Sequence, residues 1–259
     1  MIKIRNLKYS IQEKNIINDL DLELKENELL SILGPNGSGK STLVKILCGV
    51  NKGYEGSIEL LGRELKSYSS KELAQVTSYV PQFLEIHADY SVWDFMEMSL
   101  FSHMNNFRGL SRKERARAEE ILNELNLLGL KDRLVNSLSG GERQKVFIAS
   151  SIFQNPKVLL LDEPTSYLDP KHQDEVNEII FSLRKRMSVV LVSHDINSSI
   201  INGPRILGLK EGTIVFDGTP KEILKSRELN KLFDQNFNFL SHPKKDIEFI
   251  IPKVFTDEN

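Results

Sequence analysis

Residues Gly34-Pro35-Asn36-Gly37-Ser38-Gly39-Lys40-Ser41-Thr42 bring three glycines, a lysine and three hydroxyls into one short run. Glycines let successive backbone N–H groups turn inward as an anion-binding nest, and a helix that follows adds partial positive charge at its N-terminus. Lys40 has the reach and point charge to meet the outer phosphates of a nucleotide, and the Ser41 hydroxyl suits a Mg²⁺ shell. A glycine-rich turn matching by chance would not also lie between the buried-strand pattern Leu29-Leu30-Ser31-Ile32-Leu33 and the apolar helical stretch Leu43-Val44-Lys45-Ile46-Leu47.

A second cluster supplies carboxylates. Val158-Leu159-Leu160-Leu161-Asp162-Glu163 reads as a buried strand ending in two acids. Side chains alternate faces along a strand, so the two are expected to do different jobs: Asp162 in the metal shell and Glu163 on the attacking water. Two further polar residues close strands, Gln82 after Ser78-Tyr79-Val80-Pro81 and His194 after Val189 to Ser193. An uncharged hydrogen-bonding group suits contact with a γ-phosphate, and Gln or neutral His provides one. Finally, Leu138-Ser139-Gly140-Gly141-Glu142 sets a hydroxyl and glycines before a helix, a second anion-binding terminus. It reads as a helix cap, as a site for a structural anion, or as a group serving a nucleotide bound to another copy of the chain.

The elements that position these residues follow from hydrophobic periodicity. Leu29–Leu33, Val158–Leu161 and Val189–Val192 are short, nearly continuous apolar runs, as in parallel strands buried on both faces. Ile2 to Leu7 and Leu20 to Leu24 alternate instead, which predicts half-buried antiparallel strands. An α/β fold results, and ligands of open parallel sheets bind beyond the strands' carboxyl ends, where the loop, the acids, Gln82 and His194 all lie. Ser91 to Gly129 predicts an α-helical insertion, with a capping box at Ser111 and Glu114, an apolar stripe at Ala118, Ile121, Leu122, Leu125 and Leu128, and Gly129 at the helix exit. Arg205–Leu209 and Thr213–Asp217 predict a hairpin, Thr219-Pro220 a capped helix start, and the apolar tail residues Phe237, Phe239, Phe249, Ile250, Ile251, Val254 and Phe255 predict packing on the body.

The 259 residues carry 34 Lys+Arg against 36 Asp+Glu, a net charge of −2 that speaks against a protein built to neutralise a nucleic-acid backbone. A single cysteine, Cys48, excludes an intrachain disulfide and reads as a buried small hydrophobe. No run approaches the roughly 20 apolar residues of a membrane span, and Met1-Ile2-Lys3-Ile4-Arg5 lacks a secretory core, so a cytoplasmic protein is expected, with any membrane role exercised through a partner.

From Met1 to about Lys225 the chain resembles the ATP-binding subunit of ABC transporters. Gly34–Thr42 is similar to that family's Walker A, Val158–Glu163 to its Walker B, Gln82 to its Q-loop, His194 to its switch histidine, and Leu138–Glu142 to its signature. Ser166-Tyr167-Leu168-Asp169 resembles the D-loop. The resemblance implies a P-loop NTPase core with a mainly parallel sheet, an antiparallel β-subdomain and an α-helical subdomain. The division expected is an ATPase domain over residues 1–235, its helical part at about 83–150, and a C-terminal extension over 236–259. It further implies ATP and Mg²⁺, the metal held by Ser41, Gln82 and Asp162, and catalysis by Glu163, His194 and Gln82. A head-to-tail homodimer is implied too, with Ser139, Gly140 and Gly141 of one copy facing the other's nucleotide. Integral-membrane permease subunits would partner it at the cytoplasmic face of the membrane, with an extracytoplasmic substrate-binding protein engaged indirectly. The family's adenine-stacking aromatic aligns with Ile11, and Tyr9 lies two residues earlier on the same side of an extended segment.

Lys66-Ser67-Tyr68, Tyr90-Ser91-Val92-Trp93-Asp94 and Leu168-Asp169-Pro170-Lys171-His172-Gln173 are similar to importers of iron-siderophore, haem and cobalamin type, although Ser99-Leu100-Phe101-Ser102 stands where those often carry Gly-Arg. The competing readings are an importer for another substrate such as a divalent metal, a soluble ABC ATPase of iron–sulfur cluster assembly, and a phosphate-loop kinase. The kinase leaves Ser139–Glu142 and His194 without a role.

Overall fold

The computed structural model describes residues 1–86, 88–103, 109–241 and 248–251. An antiparallel sheet is built from β1 (Ile2–Ile11), β2 (Lys14–Leu24), β4 (Glu55–Leu60) and β5 (Arg63–Glu64), in the order β2-β1-β4-β5. Alternation dictates its faces: Ile2 and Ile4 are buried, Lys3 and Arg5 exposed, and Ile2 pairs with Leu24 and Ile4 with Leu22 so that the apolar sides coincide.

The second sheet runs β10-β9-β3-β8-β7-β6, from β3 (Leu29–Leu33), β6 (Thr77–Val80), β7 (Val158–Asp162), β8 (Ser188–Val192), β9 (Arg205–Lys210) and β10 (Thr213–Gly218). Every residue of β3, β7 and β8 is buried, as their apolar runs predict, and all pairings are parallel except the β9–β10 hairpin. Parallel strands all point the same way, so the segments that leave β3, β6, β7 and β8 emerge at one edge.

Helix α1 (Lys40–Leu47) follows β3, and α2 (Ser70–Val76) precedes β6. The inserted helices α3 (Val92–Ser99) and α4 (Arg112–Glu124) lie within the stretch expected to be helical and pack on α5 (Gly140–Phe153), with Phe95 and Phe147 ring centroids 5.4 Å apart. One expectation is corrected. Helix α4 ends at Glu124, well before Gly129, and the left-handed residue after it is Asn126 (φ 57°). The early turn lets the Leu127 N–H bond the Leu122 carbonyl at 2.7 Å and sends Leu125 and Leu127 into the core, while Gly129 sits in a later 3₁₀ turn.

The chain continues through α6 (Pro170–Leu183), α7 (Ile196–Asn202), α8 (Pro220–Ser226) and α9 (Glu228–Phe233). Thr219 caps α8 and Pro220 takes its first turn, as predicted. A tail hairpin, β11 (Asn238–Ser241) with β12 (Glu248–Ile251), packs Ile250 into a cluster with Leu33, Ile200 and Ile206, with Phe237 and Phe239 partly buried beside it. Val254 and Phe255 lie outside the described residues.

Candidate active site

Between β3 and α1 the phosphate loop is held in its shape by its glycines. Gly39 has φ +102°, and a Cβ there would lie 2.8 Å from the Ile16 carbonyl oxygen on β2. Gly37 has φ +77° and open space around it. Helices α2 through α8 each begin with a side-chain cap (Ser69, Ser91, Ser111, Ser139, Asp169, Asp195 and Thr219), whereas α1 has none and no acid in its first turn. Its orphan N–H groups and dipole therefore have no capping side chain among the described residues, and an anion would supply a partner. The Ser38 hydroxyl is likewise buried in the loop, with no hydrogen-bond partner among the described residues. These features fit a bound phosphate.

Lys40 is folded over the loop, its ammonium donating to the Gly34 carbonyl at 2.8 Å and the Pro35 carbonyl at 2.9 Å. Burial lowers its pKa, and the Glu163 and Asp162 carboxylates oppose that shift. Two of the three ammonium protons orient the group and one stays available for a ligand.

Asp162 ends β7 and is almost fully buried. Its Oδ1 accepts from the Ser41 hydroxyl at 2.9 Å and its Oδ2 from the Tyr79 hydroxyl at 3.3 Å. Burial raises the Asp162 pKa despite those bonds. The paired Ser41 and Asp162 oxygens are hard donors of the kind Mg²⁺ takes when it binds one or two protein groups together with substrate phosphates.

Glu163 is separated from Asp162 by more than strand alternation. The strand has already ended, and Glu163 adopts a left-handed backbone (φ 51°). Such a conformation costs a non-glycine residue about 1–3 kcal/mol and persists only where the surroundings impose it. Here the Glu163 N–H donates to the Val192 carbonyl at 3.0 Å, which ties the turn to β8. The carboxylate is buried, yet all its partners are polar: His194 Nε2 meets Oε1, while Gln82 Nε2 and the Ser166 hydroxyl donate to Oε2, the latter at 3.1 Å. A caged carboxylate of this kind is oriented as a general base would need to be.

A cleft of about 880 Å³ gathers Asn36 to Thr42, Gln82, Glu163 and His194, so the segments expected at one sheet edge are there. The structure also places at the cleft residues that sequence reasoning had not selected. Lys14 and Ile16 of β2 line it, and neither Tyr9 nor Ile11 does. The register of β1 against β2 shifts on both sides of Tyr9, and Tyr9 packs toward the antiparallel sheet's core while Ile11 is exposed. Tyr79 as a partner of Asp162 carried no distinguishing sequence signal, since it sits inside an ordinary strand.

Ser139, Gly140 and Gly141 do not line this cleft. Ser139 caps α5, with its hydroxyl 2.9 Å from Glu142 Oε2. A Cβ on Gly141 would come within 2.4 Å of the His172 ring, so the absence of a side chain there lets α5 and α6 approach closely.

The sequence description of the ABC transporter family matches residues 17–166, which span the phosphate loop, Gln82, the Ser139 segment and the Asp162–Glu163 pair. The chain belongs to the ABC transporter family. This ABC ATPase is 34% identical to the petrobactin import ATP-binding protein FpuC of Bacillus anthracis, over 98% of this chain and 93% of that protein. It is 33% identical to a probable iron chelatin transport ATP-binding protein of Helicobacter pylori, over 97% of this chain and the full length of that one. Among solved structures, the ATPase matches a dimeric ATP-binding cassette in a post-hydrolysis state with ADP and phosphate (TM-score 0.73, 30% identity, 85% of this chain and 99% of that one). The fold is thus that of an ATP-binding cassette, in which a parallel-dominated core, an antiparallel sheet and inserted helices surround an ATP-hydrolysing site.

Proposed function

We propose that this ABC ATPase is the motor subunit of an importer for iron chelates of siderophore type. The observation that carries the ATPase half is the Glu163 cage. One carboxylate, held by Gln82, His194 and Ser166, faces the same cleft as an uncapped helix N-terminus and a buried lysine. Relatives whose names specify petrobactin and iron chelatin transport support the substrate class.

In this reading Gly34 to Thr42 and Lys40 hold the ATP phosphates, and Lys40 balances charge on the γ-phosphate. Ser41, Asp162 and Gln82 would hold Mg²⁺, which when bound neutralises phosphate charge. Glu163 takes a proton from the attacking water, and His194 holds Glu163 and senses the γ-phosphate. Because the Ser139 segment lies apart from its own chain's cleft, it serves the nucleotide of a second copy in a head-to-tail dimer. Residues 1–235 form the ATPase unit and 236–259 an extension. Among the described residues no helix is long and apolar enough to cross a membrane, so separate permease subunits would carry the chelate, with an extracytoplasmic binding protein delivering it.

The test mixes two defective chains. A Ser139→Ala protomer and a Lys40→Ala protomer, tagged differently and purified as a heterodimer, form one intact composite site and should recover turnover that neither homodimer has. Strict inactivity of the heterodimer would count against the sandwich. Reconstitution with the permease that co-purifies with the chain, followed by uptake of iron-loaded hydroxamate or catecholate chelates against free Fe²⁺, Mn²⁺ and Zn²⁺, tests the substrate class. Uptake of the free ions alone would overturn it.

A further inference from the structure

Helix α7 has only seven residues, and helices below about 12–15 residues are marginal on their own. It begins two residues after His194, so whatever fixes α7 also fixes the backbone that carries the imidazole. Its start is organised locally. Asp195 caps the Ser198 N–H at 2.8 Å, and the Ser193 hydroxyl accepts from the Asp195 N–H at 3.0 Å. Within α7, Ser199 and Ile200 are buried, and the last two residues are exposed.

The tail hairpin supplies a further restraint. Asn197 makes two hydrogen bonds to a single residue of β12: its Nδ2 donates to the Ile250 carbonyl at 2.9 Å, and the Ile250 N–H donates to its Oδ1 at 2.8 Å. A side-chain amide has one donor side and one acceptor side in a plane, so it can stand in for the next strand at a sheet edge. This reciprocal pair is directional and fixes rotation as well as distance. Ile250 itself is 8% exposed and packs with Ile200 and with Leu33, the residue immediately before the phosphate loop. Neither Asn197 nor Ile250 lines the nucleotide cleft.

We propose that Asn197 is a positioning residue: by clipping α7 to the tail hairpin it holds His194 Nε2 on Glu163. The inference rests on the hydrolytic role of His194 proposed above. It predicts that loosening the clip slows hydrolysis and leaves nucleotide binding to the phosphate loop intact.

A double-mutant cycle on the full-length chain tests this, with single-turnover MgATP hydrolysis as one readout and titration of a fluorescent ATP analogue as the other. Misplacing a catalytic group by an ångström can cost about 100-fold, so Asn197→Ala, a partial loosening, should slow hydrolysis about five- to thirtyfold. Affinity should change by less than about twofold. In a His194→Ala background the same substitution should have almost no further effect, because the group being positioned is gone. Asn197→Asp keeps the acceptor for the Ile250 N–H but sets a carboxylate oxygen against the Ile250 carbonyl, so it should slow hydrolysis at least as much as Asn197→Ala. Asn197→Ser, whose shorter hydroxyl loosens the clip without a buried charge, carries the cycle should Asn197→Ala not fold. An equal slowing in both backgrounds, a fall in affinity that parallels the rate, or an unchanged rate would each overturn the proposal. If His194→Ala itself hydrolyses at the parental rate, the role given to His194 fails first, a result distinct from failure of the clip.

Discussion

Replacing Glu163 by glutamine removes a charge and a base while leaving the shape of the site almost unchanged. An amide that places its oxygen at the Oε2 position keeps the Gln82 and Ser166 donors. Its NH₂ then faces His194 Nε2, which accepts in one neutral tautomer. Charge-assisted hydrogen bonds become neutral ones, a loss of about 1–2 kcal/mol, but a buried carboxylate no longer has to be desolvated. These two terms oppose, so the denaturation midpoint should correspond to a change within about 1 kcal/mol. Turnover behaves differently. A positioned general base contributes about 10²–10⁴-fold, or roughly 2.7–5.4 kcal/mol of barrier. Steady-state phosphate release should therefore fall by at least about 100-fold, nucleotide affinity should be retained, and light scattering should show dimers accumulating with MgATP. Turnover within about threefold of the parent, in a protein of unchanged stability and affinity, would refute the assignment of Glu163 as base.

Lys40→Ala should weaken ATP binding by roughly 10- to 150-fold, the value of one charge-assisted contact, as read by nucleotide titration. Gly39→Ala forces a side chain into a φ of +102° with its Cβ 2.8 Å from the Ile16 carbonyl oxygen, and urea unfolding should show a loss of about 1–3 kcal/mol. Gly141→Ala drives a Cβ against the His172 ring and should cost about 1–3 kcal/mol, only part of it recovered in the Gly141→Ala/His172→Ala double variant, because the His172 Cβ that alanine keeps itself lies 2.9 Å away. Burial raises the Asp162 carboxyl above its ordinary pKa of 3.8, so in the nucleotide-free chain the charged form detracts from stability as pH rises through the folded-state value. The difference in melting temperature between Asp162→Asn and the parent should thus move in the variant's favour as pH rises from 3.8 to 7, while Mg²⁺-dependent ATP binding is weakened.

What could be read from the chain was chemistry written in contiguous residues. The phosphate loop is such a case, because a nest of N–H groups is formed by neighbouring residues whose glycines permit the required backbone. The same holds for the capping box at Ser111 and for the largely apolar strands β3, β7 and β8, whose burial on both faces shows directly in composition. Parallel strands also made it legible that Gln82, Glu163 and His194 would meet at one edge. Folding alone decided the contacts between residues far apart in sequence. Tyr79 reaches Asp162 across 83 positions and Asn197 reaches Ile250 across 53, and no local pattern specifies either pair. The left-handed turn at Glu163 is tied to β8, the exit of α4 moved from Gly129 to Asn126 because Leu125 and Leu127 had to enter the core, and the placing of Lys14 and Ile16 along the cleft follows from how β2 lies against the phosphate loop. Local propensity acts over a turn or a strand. Side-chain packing acts across the whole core, and where the two disagree by a few residues, the packing prevails.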